Sequence, residues 1–176
     1  MARERRVALL CVLMGCATAG SSSSNTQPRA ASSLPDFELS SVGGQTVRLS
    51  EHLGRDVVLL AFWATWCEPC KAELPHLDRI HRARKGDGFT VLAISMDDPA
   101  TLMQVAPYVH EAGFDFPVLL DPSGVAMTLY NTHRSAPYTV LISREGKIAS
   151  ESPGFELSGV KALEEQIGQL LAVAPR

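Results

Sequence analysis

The sequence predicts an α/β domain built on a mixed central sheet with helices on both faces. Three observations predict it. Residues 57–63 and 89–95 are continuous apolar runs of strand length, the pattern of strands covered on both sides. Between them, residues 68–84 carry Leu74, Leu77 and Ile80 at helical spacing, so strand, helix and strand follow one another as in a parallel crossover. The other clear strands fall into two hairpin patterns, one near each end of the domain, and hairpins are antiparallel.

In chain order, residues 36–39 and 46–49 flank Gly43-Gly44 as an N-terminal β-hairpin, and residues 50–53 read as one capped turn before Gly54. The strand at 57–63 runs into the helix at 68–84, where Pro75 removes one backbone donor and predicts a kink. After the strand at 89–95 come a helix at 99–112, a short strand at 117–120 and a short helix at 123–130. Residues 138–143 and 147–151 flank Arg144-Glu145-Gly146 as the second hairpin, and 159–172 form the closing helix.

Residues 34–176 amount to one domain, long enough to bury a core. The chain is 45% hydrophobic, and its 16 basic against 19 acidic residues form no basic stripe, which excludes nucleic-acid binding. There is no internal repeat.

The chemistry gathers where the first buried strand ends. Phe62-Trp63-Ala64-Thr65-Trp66-Cys67-Glu68-Pro69-Cys70-Lys71-Ala72-Glu73 places Cys67 at a strand-to-helix junction. Unpaired N–H groups and the positive end of the helix dipole stabilise a thiolate there, making Cys67 a nucleophile near neutral pH. Cys70, one turn further on, is placed to attack a mixed disulfide at Cys67 and close a Cys67–Cys70 disulfide. A structural zinc site would need four ligands, and no second cysteine pair follows; His76 and His81 are two of five scattered histidines. Inert core cysteines are the other reading. The preceding strand, the Trp before the pair and the Pro within it favour redox chemistry over both.

This motif resembles the active site of the thioredoxin superfamily. Cys-Glu-Pro-Cys-Lys-x-Glu followed by Pro75 is similar to its TlpA/ResA-like branch of membrane-anchored thiol-disulfide oxidoreductases, from about Leu34 to the C-terminus. The resemblance implies a thioredoxin-like fold with an N-terminal β-hairpin and a central helix-strand insertion at 97–130. It implies no cofactor and no metal. It also implies that Pro137, which opens a strand, is the family's cis-proline, beside the cysteines and alongside the substrate backbone; the residues alone read as an ordinary trans proline. Glu73 matches an active-site glutamate whose burial would raise its pKa and let it move a proton to or from a thiol. A solvated helix glutamate is the alternative. Thioredoxins bury an aspartate where this chain has Ala61, leaving Glu73 as the candidate to replace it.

Glu68 and Pro69 separate the cysteines, where the superfamily tunes potential: Glu68 disfavours the Cys67 thiolate and Pro69 constrains the turn. Trp66, Glu68, Pro69 and Ala136 are the candidate substrate contacts, though Trp63 and Trp66 equally suit a core. Asn131-Thr132-His133-Arg134-Ser135 departs from the family pattern, and Ala136 replaces a larger side chain. His133 or Arg134 there would depress the Cys67 pKa, or be solvated loop charges.

The first residues read as an export leader: Arg3, Arg5 and Arg6, then an apolar run at 7–14 too short to span a membrane. Leu13-Met14-Gly15-Cys16 resembles a lipobox, which divides the chain into a signal peptide at 1–15, a tether at 16–33 with lipidated Cys16, and the domain at 34–176. Cleavage after Ala17-Thr18-Ala19, giving a soluble periplasmic protein, is the alternative. Ala17 after the cysteine favours the outer membrane in a two-membrane cell. Residues 20–33 are nearly without apolar side chains and, as a coil, reach roughly 20 Å.

Cys11 leaves with the leader and Cys16 carries lipid, so Cys67 and Cys70 are the domain's thiols. An exported pair needs its own electron source to act as a reductant. The expected partners are therefore a protein disulfide as substrate, a membrane thiol-reducing protein as donor, and the membrane through the lipid anchor. In the family, haem-site cysteines of apocytochrome c are one kind of substrate. A peroxiredoxin-like peroxidase and a thiol-based metal chaperone are the alternatives; the CxxC spacing and absent Thr-x-x-Cys context weigh against the first.

Overall fold

The computed structural model describes residues 34–173, so the leader, Cys16 and the tether lie outside the described residues. Seven strands form one sheet in the order β2-β1-β5-β4-β3-β6-β7. The first hairpin is β1 (Glu38–Ser41) and β2 (Thr46–Arg48), and a 3-10 turn at Leu49–Glu51 leads to β3 (Val57–Trp63). Then come α1 (Glu68–Arg84), β4 (Phe89–Ser95), a 3-10 turn at Leu102–Gln104, α2 (Val105–Ala112), β5 (Val118–Leu120) and α3 (Val125–Tyr130). The chain closes with β6 (Tyr138–Ile142), β7 (Ile148–Pro153) and α4 (Leu157–Ala172).

The centre of the sheet is the pair of apolar runs. β3 pairs parallel with β4 over its whole length, Val57 opposite Phe89 through Trp63 opposite Ser95, and antiparallel with β6 on its other side. Every β3 residue is buried, because successive side chains enter opposite cores. Val57, Leu59, Ala61 and Trp63 pack with Leu74, Leu77, Ile80 and Ile167 of α1 and α4. Val58, Leu60 and Phe62 pack with Phe37, Leu49, Ala126 and Tyr130 on the α3 side. Helices thus cover both faces.

β5 runs parallel to β4 and antiparallel to β1, so the insertion between the two halves joins the N-terminal hairpin to the sheet. The Tyr130 hydroxyl donates to the Pro35 carbonyl and fastens the same corner. The largest difference from expectation is in the insertion: instead of a helix over 99–112, α2 begins at Val105. Asp98 accepts from the amides of Ala100 (2.9 Å) and Thr101 (3.1 Å), a local turn that competes with helix until the 3-10 segment has passed.

This topology brings three chain ends to one edge. The C-terminal ends of β3 and β4 lie beside the N-terminal end of β6, with Phe62 opposite Tyr138. Residues that follow β3 and β4 or precede β6 therefore meet there. Leu74 holds α1 in place beneath that edge and is fully buried. Leu74→Ala should cost about 2–5 kcal/mol, read as a lower urea midpoint with unchanged slope.

Candidate active site

Cys67 is the N-cap residue of α1, with extended backbone (φ −93°, ψ 96°), and its Sγ accepts the Cys70 N–H at 3.2 Å. Sulfur thus takes the place a Ser or Asp oxygen normally fills at a helix start, facing N–H groups that have no helical partner. Pro69 sits in the first turn, where no N–H is needed. Cys67 and Cys70 are joined by a disulfide of 2.03 Å, with Cys70 fully buried and Cys67 nearly so. Trp66, Glu68 and Pro69 are exposed around the pair. The two tryptophans divide: Trp66 is 60% exposed, whereas Trp63 is fully buried against Tyr108, ring centroids 5.4 Å apart. Lys71 Nζ donates to Glu68 Oε1 at 2.8 Å and lies 5.8 Å from the Tyr108 ring centre. That cation offsets the charge Glu68 places next to Cys67.

Pro137 is buried immediately before β6, the Ala136–Pro137 bond is cis, and Ala136 is half-buried. On the loop before it, the His133 ring lies 6.0 Å from that of Tyr138, and the exposed Arg134 has φ +52°, a left-handed conformation costly for a side chain of its size.

Glu73 points inward from α1 and is only 5% exposed. Among the described residues its carboxyl has no hydrogen-bond or ion-pair partner. Desolvation alone pushes its pKa from the ordinary 4.5 up to about 7. It lines a cavity of about 780 Å³ between α1, the β6–β7 pair and α4, whose apolar floor includes Leu59, Leu77 and Leu141. Ala61 lies in the same core cluster as both cysteines and Leu74, and offers no proton-carrying group. Among the described residues no three His, Cys, Asp or Glu side chains gather as a metal site, and no helix is long and apolar enough to cross a membrane.

The AhpC/TSA family model matches residues 30–151, more than half of the chain. The chain belongs to the AhpC/TSA family. Thiol-disulfide oxidoreductase ResA of Geobacillus kaustophilus is 32% identical over 117 residues, covering 66% of this chain and 65% of that protein. The chain thus spans about two thirds of that relative's length. A crystal structure of a Chlorobium tepidum protein assigned as thiol:disulfide interchange protein DsbE aligns with TM-score 0.72 and 34% identity, over 80% of this chain and 96% of that one. The exposed lipoprotein thioredoxin of Streptococcus pneumoniae aligns with TM-score 0.66 and 34% identity, over 77% of this chain and all of that one. The thioredoxin-like fold expected from the motif is the fold observed.

Two buried polar residues of this AhpC/TSA domain escaped the sequence reading. Asn131 is fully buried; its amide donates to the Ser135 carbonyl at 2.7 Å and accepts the Ser135 N–H at 3.2 Å, closing the loop ahead of Pro137. Asp97, directly after β4, is fully buried against Thr65. Each looks in sequence like an ordinary loop residue, and the only signal was its place after an apolar run or before a proline. The site also titrates in a defined sense. Between about pH 4.5 and 7 the folded chain holds a Glu73 proton that the unfolded chain has released, so stability falls as pH rises through that window. The full loss is roughly 3 kcal/mol, and Glu73→Gln should flatten the decline in urea melts taken from pH 4 to 8.

Proposed function

We propose that this protein is an exported thiol-disulfide oxidoreductase that reduces disulfides of other exported proteins. The observation that carries this is Cys67 Sγ capping α1 while bonded to buried Cys70. The ResA and DsbE names of its relatives support the same reading.

The cycle begins from the disulfide form. A dithiol donor, a membrane thiol-reducing protein, gives two electrons and two protons, leaving Cys67 and Cys70 as thiols and the donor as a disulfide. Cys67 loses its proton, and its thiolate attacks one sulfur of a substrate disulfide. A mixed disulfide forms and one substrate thiolate leaves, taking up a proton. Cys70 then gives its proton to Glu73 and attacks Cys67 Sγ, which releases the second substrate thiolate and restores the Cys67–Cys70 bond. A carboxyl with pKa about 7 accepts and returns that proton at neutral pH. Pro137 and Ala136 hold the substrate backbone beside the pair, with Trp66, Glu68 and Pro69 facing it.

The leader and Cys16 support an envelope protein anchored by lipid and facing the periplasm, and the pneumococcal relative is itself a lipoprotein. The rival is a soluble periplasmic protein cleaved at Ala19. Cysteines of apocytochrome c during its maturation are the substrate class the family resemblance supports.

Cys70→Ser should trap the substrate as a mixed disulfide at Cys67, seen as a reducible adduct on gels, and Cys67→Ser should yield none. A peroxidase working through Cys67 alone would keep turnover in Cys70→Ser and end the proposal; metal retained on the reduced thiols would favour the chaperone. A second outcome concerns the loop charge: if Arg134 lowers the Cys67 pKa, alkylation of Cys67 in Arg134→Ala shifts to higher pH, and an unchanged titration removes Arg134 from the site.

A further inference from the structure

The segment from Trp63 to Cys67 must hold a nucleophilic sulfur over the first turn of α1, yet it is a turn between elements. It turns on a single backbone bond, from the Cys67 N–H to the Ala64 carbonyl at 3.1 Å, which leaves Thr65 and Trp66 at its apex. Trp66 stands out in solvent, while Thr65 is buried.

What holds Thr65 comes from the neighbouring strand. The Thr65 N–H donates to Asp97 Oδ2 at 3.0 Å, and the Thr65 hydroxyl donates to Asp97 Oδ1 at 2.5 Å. The Ser95 hydroxyl donates to Asp97 Oδ2 at 2.9 Å, and in turn accepts the Asp97 N–H at 3.2 Å. One residue earlier, the Met96 N–H donates to the Trp63 carbonyl at 2.8 Å. The end of β4 therefore grips the chain on entry to the turn and again at its apex.

Asp97 is fully buried, and no Lys, Arg or His among the described residues pairs with it. A buried carboxylate without a cation is costly unless donors surround it, and an apolar residue would fill the space more cheaply. A carboxylate differs from an apolar filler in one respect here: it accepts both donors of one residue at once, fixing that residue's backbone and side chain together. The residue it fixes stands two before Cys67.

We propose that Asp97 is a positioning residue for Cys67, acting through the N–H and hydroxyl of Thr65 to hold the sulfur at the N-terminus of α1. The inference rests on the reading of Cys67 as the nucleophile. Of the charged and titratable groups at this end of the fold, Glu68, Lys71 and Glu73 stand on α1, Asp97 follows β4, and His133 and Arg134 stand on the loop before Pro137, so the first comparison must change none of these charges. Thr65→Val does not, since it removes only the hydroxyl and keeps the shape.

The test is the rate of Cys67 alkylation by iodoacetamide in the reduced, full chain, mapped by mass spectrometry and followed from pH 5 to 10. Thr65→Val should slow alkylation at pH 7 by about tenfold and move its midpoint to higher pH, as expected when a hydrogen bond to a charged group is lost. Thr65→Ser, which restores the hydroxyl, should return the rate to within about twofold. Ser95→Ala also removes a donor to Asp97 but leaves the turn alone; it should lower the melting temperature while the rate stays within about twofold. Asp97→Asn should slow the reaction, and adding Thr65→Val to it should slow it by less than the product of the two separate effects, because both act within the Thr65–Asp97 pair. A folded Thr65→Val chain reacting at the parent rate overturns the proposal, as does a double variant in which the two effects multiply. If Cys67 of the parent reacts no faster than a cysteine of the unfolded chain, the oxidoreductase reading fails instead.

Discussion

The cysteine end of this molecule depends on one substitution of roles: a cysteine sulfur serves as the N-cap of α1. An N-cap must accept a hydrogen bond, and a thiolate accepts far better than a thiol, so the helix favours the reactive state of its own cap. The rest of the fold keeps that cap where it is. β3 delivers it from the middle of the sheet, and Leu74, Leu77 and Ile80 pin α1 below it. β6 brings Pro137 to the same edge, and the end of β4 grips the connecting turn.

The second constraint is the contrast between Glu73 and its surroundings. A carboxyl in this core raises the energy of its ionised form, which is why its pKa rises to about 7. A protein built only for stability would place a leucine there. Glu73 stands one turn beyond the fully buried Cys70 on α1 and at the wall of a cavity, and in the proposed cycle it is the group that takes the Cys70 proton. Ala61, in the same core cluster as the cysteines, has no group that could hold a proton. Glu68 differs from Glu73 in its surroundings, being exposed and paired with Lys71.

Much of this was legible from the chain because the deciding signals are local. Continuous apolarity placed β3 and β4 at the residues observed, and a helix start beside two cysteines placed α1. The helix expected at 99–112 was too long because Asp98 was not read as a turn former. Asp97 and Asn131 were missed for a deeper reason. Their bonds to Thr65 and Ser135 follow from β4 lying beside β3 and from a loop folding back on itself, and no periodicity encodes either. The short strand expected at 117–120 is β5, but its seat between β4 and β1 emerged only with the sheet order.

The central claim is that the Cys67–Cys70 pair is a reductant that must be recharged by a donor. The reduction potential of this couple, from thiol trapping in graded redox buffers, tests it most directly. The account predicts a value near or below about −250 mV, in the range of thioredoxin. A value near about −120 mV would make the protein an oxidant and contradict it.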